Sequence, residues 1–187
     1  RSTLFPYTTL FRSPYSKVTV QGGNWEILTS DAGARMLDAN LRWVGPVSYT
    51  QDEQQFARAI QKATGVPEAG MDTEIQPLEG QDMEGGSTDV GDVSWVVPTL
   101  HVTIATSPKE APWHAWPVVA TSGMSIGHKG MVRAAKVLAA TMVDFYEQPA
   151  QVKAVRAEFQ KKKGDVTYDA YVPDGPPPIP KDEKTAD

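Results

Sequence analysis

The stretch from Met131 to Phe145 constrains the fold more than any other part of the chain. Met131, Ala134, Ala135, Leu138, Met142 and Phe145 recur at helical spacing and predict an amphipathic helix of about five turns. Its alanines allow close backbone approach, which suits a helix laid on a flat sheet rather than one projecting into solvent. A helix of that length must bury its stripe against a correspondingly large surface, so the remaining segments have to supply one.

Several segments carry helix signals of their own. Ser30 or Asp31 can cap a helix with Ala34, Leu37, Leu41 and Val44 inward, and Gly45-Pro46 stops it. Thr50-Gln51-Asp52-Glu53 has the form of a capping box. The helix it opens would bury Phe56, Ala59, Ile60 and Ala63 and end at Gly65. Pro149 suits the first turn of a further helix, with Val152, Val155 and Phe159 inward, Lys161-Lys162-Lys163 favouring its C-terminal dipole and Gly164 ending it.

β-type runs lie between these helices: Lys17 to Val20, Trp25 to Leu28, Val93 to Val97 and Leu100 to Ala105, the last two divided by Pro98. Helices interleaved with such runs predict an α/β fold. Between them, Val66 to Asp92 loses all periodicity and holds eight carboxylates with no lysine or arginine. A loop of this length is either functional or a solvated insertion. Pro176-Pro177-Pro178 and the charged end read as an extended tail over 173–187.

Composition excludes several classes of function. With no cysteine there is no disulfide, thiolate metal site or cysteine nucleophile. The net charge of −5 and the lack of a basic stripe argue against a nucleic-acid partner, and no run of roughly 18 apolar residues offers a membrane span. The chain opens on Arg1, and residues 1–13, with Thr-Leu-Phe at 3–5 repeated at 9–11, look like the translation of a sequencing-library adapter. That segment is set aside as non-native, and the expectation follows that the native N-terminus is missing.

No phosphate-binding loop, nucleophile elbow or self-contained zinc motif is present. Of the histidines His101, His114 and His128, a lone one in a tryptophan-rich or apolar segment is by default structural. The stretch Gly86-Ser87-Thr88-Asp89-Val90-Gly91-Asp92-Val93-Ser94-Trp95 is more informative, since small residues and acids before an apolar run suit a site-lining loop. Local capping by Ser87, Asp89 and Asp92 is the competing reading.

That motif, continued to Thr99, resembles the B-subunit-like amidohydrolases of aminobenzoyl-glutamate hydrolase. So do Trp113-His114-Ala115-Trp116, Ser125-Ile126-Gly127-His128-Lys129-Gly130-Met131, Asn40 to Gly45 and Phe56-Ala57-Arg58. This family belongs to the metal-dependent peptidases that include aminoacylase and carboxypeptidase-type enzymes. The resemblance implies a C-terminal fragment: the end of a lid and dimerisation domain over 14–29, then the C-terminal half of a three-layer αβα zinc-peptidase-like catalytic domain over 30–172. It implies hydrolysis of an amide bond, in an N-acyl amino acid or aminobenzoyl-glutamate-like substrate, by water activated at two divalent metals. Zinc is the expected metal, with manganese or cobalt as alternatives, and the general base lies upstream. His114 matches the family's last metal-binding histidine, and His128, Asp89 and Lys129 are the candidate substrate contacts. Thr88 departs from the family pattern, in which a pair of acids precedes the strand. A homodimer formed through the lid and a cytoplasmic location are the corresponding expectations. The alternative from another class is a catalytically inactive binding or assembly domain built on the same fold.

Overall fold

A computed structural model describes residues 22–78, 88–172 and 174–176. The adapter-like peptide 1–13, the run Lys17 to Val20, residues 79–87 of the acidic loop and the tail 177–187 lie outside the described residues. Among the described residues six helices follow in order: α1 (Asp31–Val44), α2 (Gln51–Thr64), α3 (Val90–Ser94), α4 (Trp116–Ser122), α5 (Ser125–Glu147) and α6 (Pro149–Lys163). Among the described residues there is no β-ladder.

The helix ends follow their caps. The Ser30 hydroxyl accepts from the Gly33 N–H at the start of α1, and the Thr50 and Glu53 side chains satisfy each other's backbone N–H groups at the start of α2. Gly65 closes α2 in the left-handed conformation at φ 75°, where glycine carries no steric penalty. Lys161, Lys162 and Lys163 occupy the last turn of α6, where cations complement the dipole.

Helix α5, 23 residues long, is the central element. It packs against α1, α4 and α6, and α6 also packs against α1. Two buried polar links join α1 to α5: Asn40 Nδ2 donates to Thr141 Oγ1 at 3.2 Å and to Asp144 at 2.6 Å. Glu158 ties α6 to α1. Its carboxylate accepts from the N–H groups of Asp31 and Ala32 at 2.8 and 2.9 Å and from the Ser30 hydroxyl, at the positive end of the α1 dipole. Helix α2 meets α5 through Ala57 and Ile126, both fully buried, with Met71 completing the cluster.

Three expectations change. Val93–Val97 does not form a strand: Val90–Ser94 is the short helix α3, and a turn follows it. Leu100–Ala105 carries no regular structure; its C-terminal end lies against α5, where Gly130 meets Ala105 and Thr106. A strand is stable only when another strand satisfies its backbone groups, and β propensity alone does not provide that neighbour. The inward faces also differ. On α5 the buried residues are Ile126, Gly127, Gly130, Val137 and Thr141, whereas Met131 is 63% exposed and Met142 59%. On α2, Glu53, Ala57, Ile60 and Gln61 are buried and Phe56 is half out.

Candidate functional site

The acidic-loop motif has a structural role in its second half. Asp92 Oδ1 accepts from the Trp25 backbone N–H at 3.2 Å, and Ser94 Oγ accepts from that of Leu28 at 2.8 Å. The Trp95 indole donates to the Glu26 carbonyl at 2.9 Å. Gly91 is buried directly beneath Trp25, where any Cβ would run into the Trp25 carbonyl oxygen. Segment 25–28 therefore lies across α3 as a strap. An aromatic cluster covers it, with Trp25 stacked on Tyr171 at 5.6 Å and also meeting Trp95 and Tyr168. Asp89 stands apart, exposed at the N-cap of α3 and making no side-chain cap bond.

His114 is exposed in the loop before α4, between the exposed Trp113 and Trp116. Its backbone is left-handed at φ 54°. Few non-glycine residues adopt this conformation, although histidine is enriched among those that do, and such positions cluster at functional sites. The described residues contain no group of three His, Asp or Glu side chains able to hold a metal. One imidazole does not make a metal centre, so His114 can be at most one donor of a set completed from elsewhere.

A buried polar constellation sits where α2 meets the start of α5, and only part of it follows from sequence. Glu53, 5% exposed, accepts from Lys129 Nζ at 2.6 Å, from Ser125 Oγ at 2.5 Å and from the Thr50 N–H at 2.6 Å. Burial by itself would push its carboxyl pKa up. The hydrogen bonds from Lys129, Ser125 and Thr50, together with the Lys129 charge, outweigh burial and hold it at about 2. Nearby, Tyr49 donates from its hydroxyl to the Ala105 carbonyl at 2.8 Å. Burial, then the negative charges of Glu53 and Asp72, push its pKa up to about 12.

Beside this constellation runs an open groove of about 400 Å³ lined by Val47, Ser48, Ser125, His128, Lys129, Val132, Arg133 and Lys136. The structure thus brings His128 and Lys129 to one groove, while His114 and Asp89 do not line it. Glu53, Ser125, Arg133 and Lys136 are not expected from the sequence. The capping box marks Glu53 only as a local cap, and no spacing links it to Lys129, 76 positions away.

Comparison with known proteins gives one informative likeness. The chain is 33% identical over 108 residues to a subunit of the p-aminobenzoyl-glutamate hydrolase of Escherichia coli (strain K12). The matched stretch covers 57% of this chain and 22% of that protein, so the chain spans about a fifth of its relative's length. No family model and no solved structure matches.

Proposed function

We infer that this chain is part of a hydrolase of the aminobenzoyl-glutamate hydrolase type, acting on the amide bond of an N-acyl amino acid or aminobenzoyl-glutamate-like substrate. The likeness to the E. coli protein carries this reading, and its name is that of a hydrolase component. In the proposed enzyme residues 30–172 are the C-terminal part of an αβα catalytic domain whose sheet comes from polypeptide outside the described residues, and the segment before residue 30 ends the lid domain. His114 then contributes one imidazole to a divalent metal, expected to be zinc, with the other donors supplied from elsewhere. A metal of this kind activates water for attack on an amide carbonyl near neutral pH. The left-handed backbone of His114 supports a positioned side chain rather than a surface accident. In this reading His128 and Lys129, which line the groove beside α5, and Asp89, on the loop before α3, contact the substrate.

One observation favours a second reading, an assembly domain without catalysis: the apolar face of α5 that carries Met131, Leu138 and Met142 is exposed. A chimera separates the two. Residues 30–172, which include His114, replace their counterpart in the E. coli protein, and release of glutamate from aminobenzoyl-glutamate is followed together with bound metal. The enzyme reading predicts an active chimera that loses at least about a hundred-fold in rate and loses bound metal on His114→Ala. A folded chimera that is inactive, or one indifferent to His114→Ala in both rate and metal content, supports the assembly reading instead.

A further inference from the structure

Segment Leu100–Ala105 has the side chains of a strand and none of a strand's bonds. Val102, Thr103 and Ile104 are β-branched in succession. Burial alternates along the run, with Leu100, Val102 and Ile104 half-buried and His101 and Thr103 exposed, the period of two that a strand shows. Among the described residues no main-chain group from Leu100 to Ala105 is bonded to another main-chain group. The Ala105 carbonyl has a side-chain partner, the Tyr49 hydroxyl. Backbone N–H and C=O groups that are half shielded from water need partners, so a run of this kind is an open template for pairing.

The run is anchored against helices at both ends. Leu100 lies on α1, where a Cβ on Gly33 would run into its side chain, and Ala105 and Thr106 lie on α5 at Gly130. Helices α1 and α5 pack on each other, so the run crosses a helix layer with its apolar side chains toward it. Met131, next to Gly130, is 63% exposed and leaves apolar surface for a neighbour.

We propose that Leu100–Ala105 is a docking edge for a strand supplied by the rest of the hydrolase, which pairs with it main chain to main chain and makes this run part of the enzyme's sheet. Such strand addition takes its affinity from backbone hydrogen bonds and its register from alternate side chains, so the incoming strand carries aliphatic residues on the Val102 side and polar ones on the His101 side. The chain spans about a fifth of its E. coli relative's length, which leaves ample polypeptide to provide it. A second copy of the chain would bring only a matching short run, and a two-stranded ribbon is marginal in water. The identity of the occupant rests on the hydrolase reading; the open run does not.

Amide hydrogen exchange followed by mass spectrometry tests it, comparing residues 99–107 in the full chain with the same residues in the E. coli protein carrying 30–172. In the dilute full chain this stretch should exchange near the rate of an unstructured peptide while α1 and α5 are protected, and in the chimera it should slow at least about a hundred-fold. Thr103→Pro removes one main-chain donor. It should leave the thermal transition of the full chain unchanged and restore fast exchange in the chimera, whereas Thr103→Ala should keep the protection. Slow exchange in the dilute full chain, or equally fast exchange in a folded chimera, would overturn the proposal. Protection in the full chain that grows with its concentration would assign the edge to a second copy and overturn the occupant. Neither readout needs activity: a protected but inactive chimera sinks the hydrolase reading alone, and an active chimera with fast exchange sinks this inference alone.

Discussion

Glu53→Gln isolates the charge at the α2–α5 junction with little change of shape. Glutamine at this position can still accept the Thr50 N–H, so the cap survives and the pairing with Lys129 is lost. The carboxyl is held at about 2 against an ordinary value of 4.5, and a depression of that size is worth about 3 kcal/mol. Lys129 is 36% exposed on its side chain and regains hydration once its partner is neutral. The expected loss at neutral pH is therefore about 2 kcal/mol, below the ~3–5 kcal/mol typical of breaking a fully buried pair.

The pH dependence supplies the check. A carboxyl whose folded pKa lies below its unfolded value contributes stability that is complete above the unfolded value and is lost as pH falls toward the folded one. The gap between wild type and Glu53→Gln should be full above about pH 4.5 and close progressively toward pH 2. Urea unfolding followed by far-UV circular dichroism across that range measures it, with Lys129→Met completing a double-mutant cycle. A gap that persists undiminished down to the acid end, or a coupling energy under about 0.5 kcal/mol, would refute the argument that the ion pair stabilises the junction.

Three further outcomes are expected. Glu158→Ala should cost about 1–2 kcal/mol by leaving the first N–H groups of α1 without their acceptor. Because burial is outweighed there by Lys162 and those N–H groups, holding Glu158 at about 2, this loss should also fade between about pH 4.5 and 2 in urea titrations. Gly91→Ala should expel the 25–28 strap, cost at least about 2 kcal/mol and red-shift the tryptophan emission as Trp25 leaves its cluster; an unchanged spectrum would contradict the close approach. Met142→Gln should change stability by less than about 0.5 kcal/mol and lower self-association measured by sedimentation, whereas an inward Met142 would cost several times more.

The parts of the fold that are legible in the sequence are those decided within one helical turn. The Thr50–Glu53 box, the Ser30 cap, Gly65 and Gly164 all sit where their spacing places them, because a cap needs only neighbours three residues away. The long-range partners are not legible. Nothing in Gly91-Asp92-Val93-Ser94-Trp95 signals that three of its side chains hold a segment some 66 positions earlier. The same residues read as a site-lining loop because small and acidic side chains serve both purposes. His114 stands out through resemblance, and its left-handed backbone cannot be read from the residues around it. Arg133 and Lys136 read as ordinary solvated charges, since only the fold brings them to the groove that His128 and Lys129 line.

Helix α5 shows where periodicity fails for a physical reason. It carries apolar side chains on more than one stripe: the expected one through Met131, Leu138 and Met142, and the buried one through Ile126, Val137 and Thr141. The stripes lie about one residue apart, roughly 100° around the helix axis. Hydrophobicity ranks the methionine stripe higher, because glycine and threonine score poorly. Yet Gly127 and Gly130 let backbone come close, at Ser122 on one side and at Ala105 and Thr106 on the other, which no methionine would allow. Close packing therefore selects the small-residue stripe for the contacts formed within the described residues, and leaves the methionine stripe free. A helix with two apolar stripes is stable in water only when both are covered, so α5 has the character of an inner layer. In the proposed αβα enzyme a sheet from outside the described residues would cover the second stripe, and Ala134, Ala135 and Ala139 would permit its close approach.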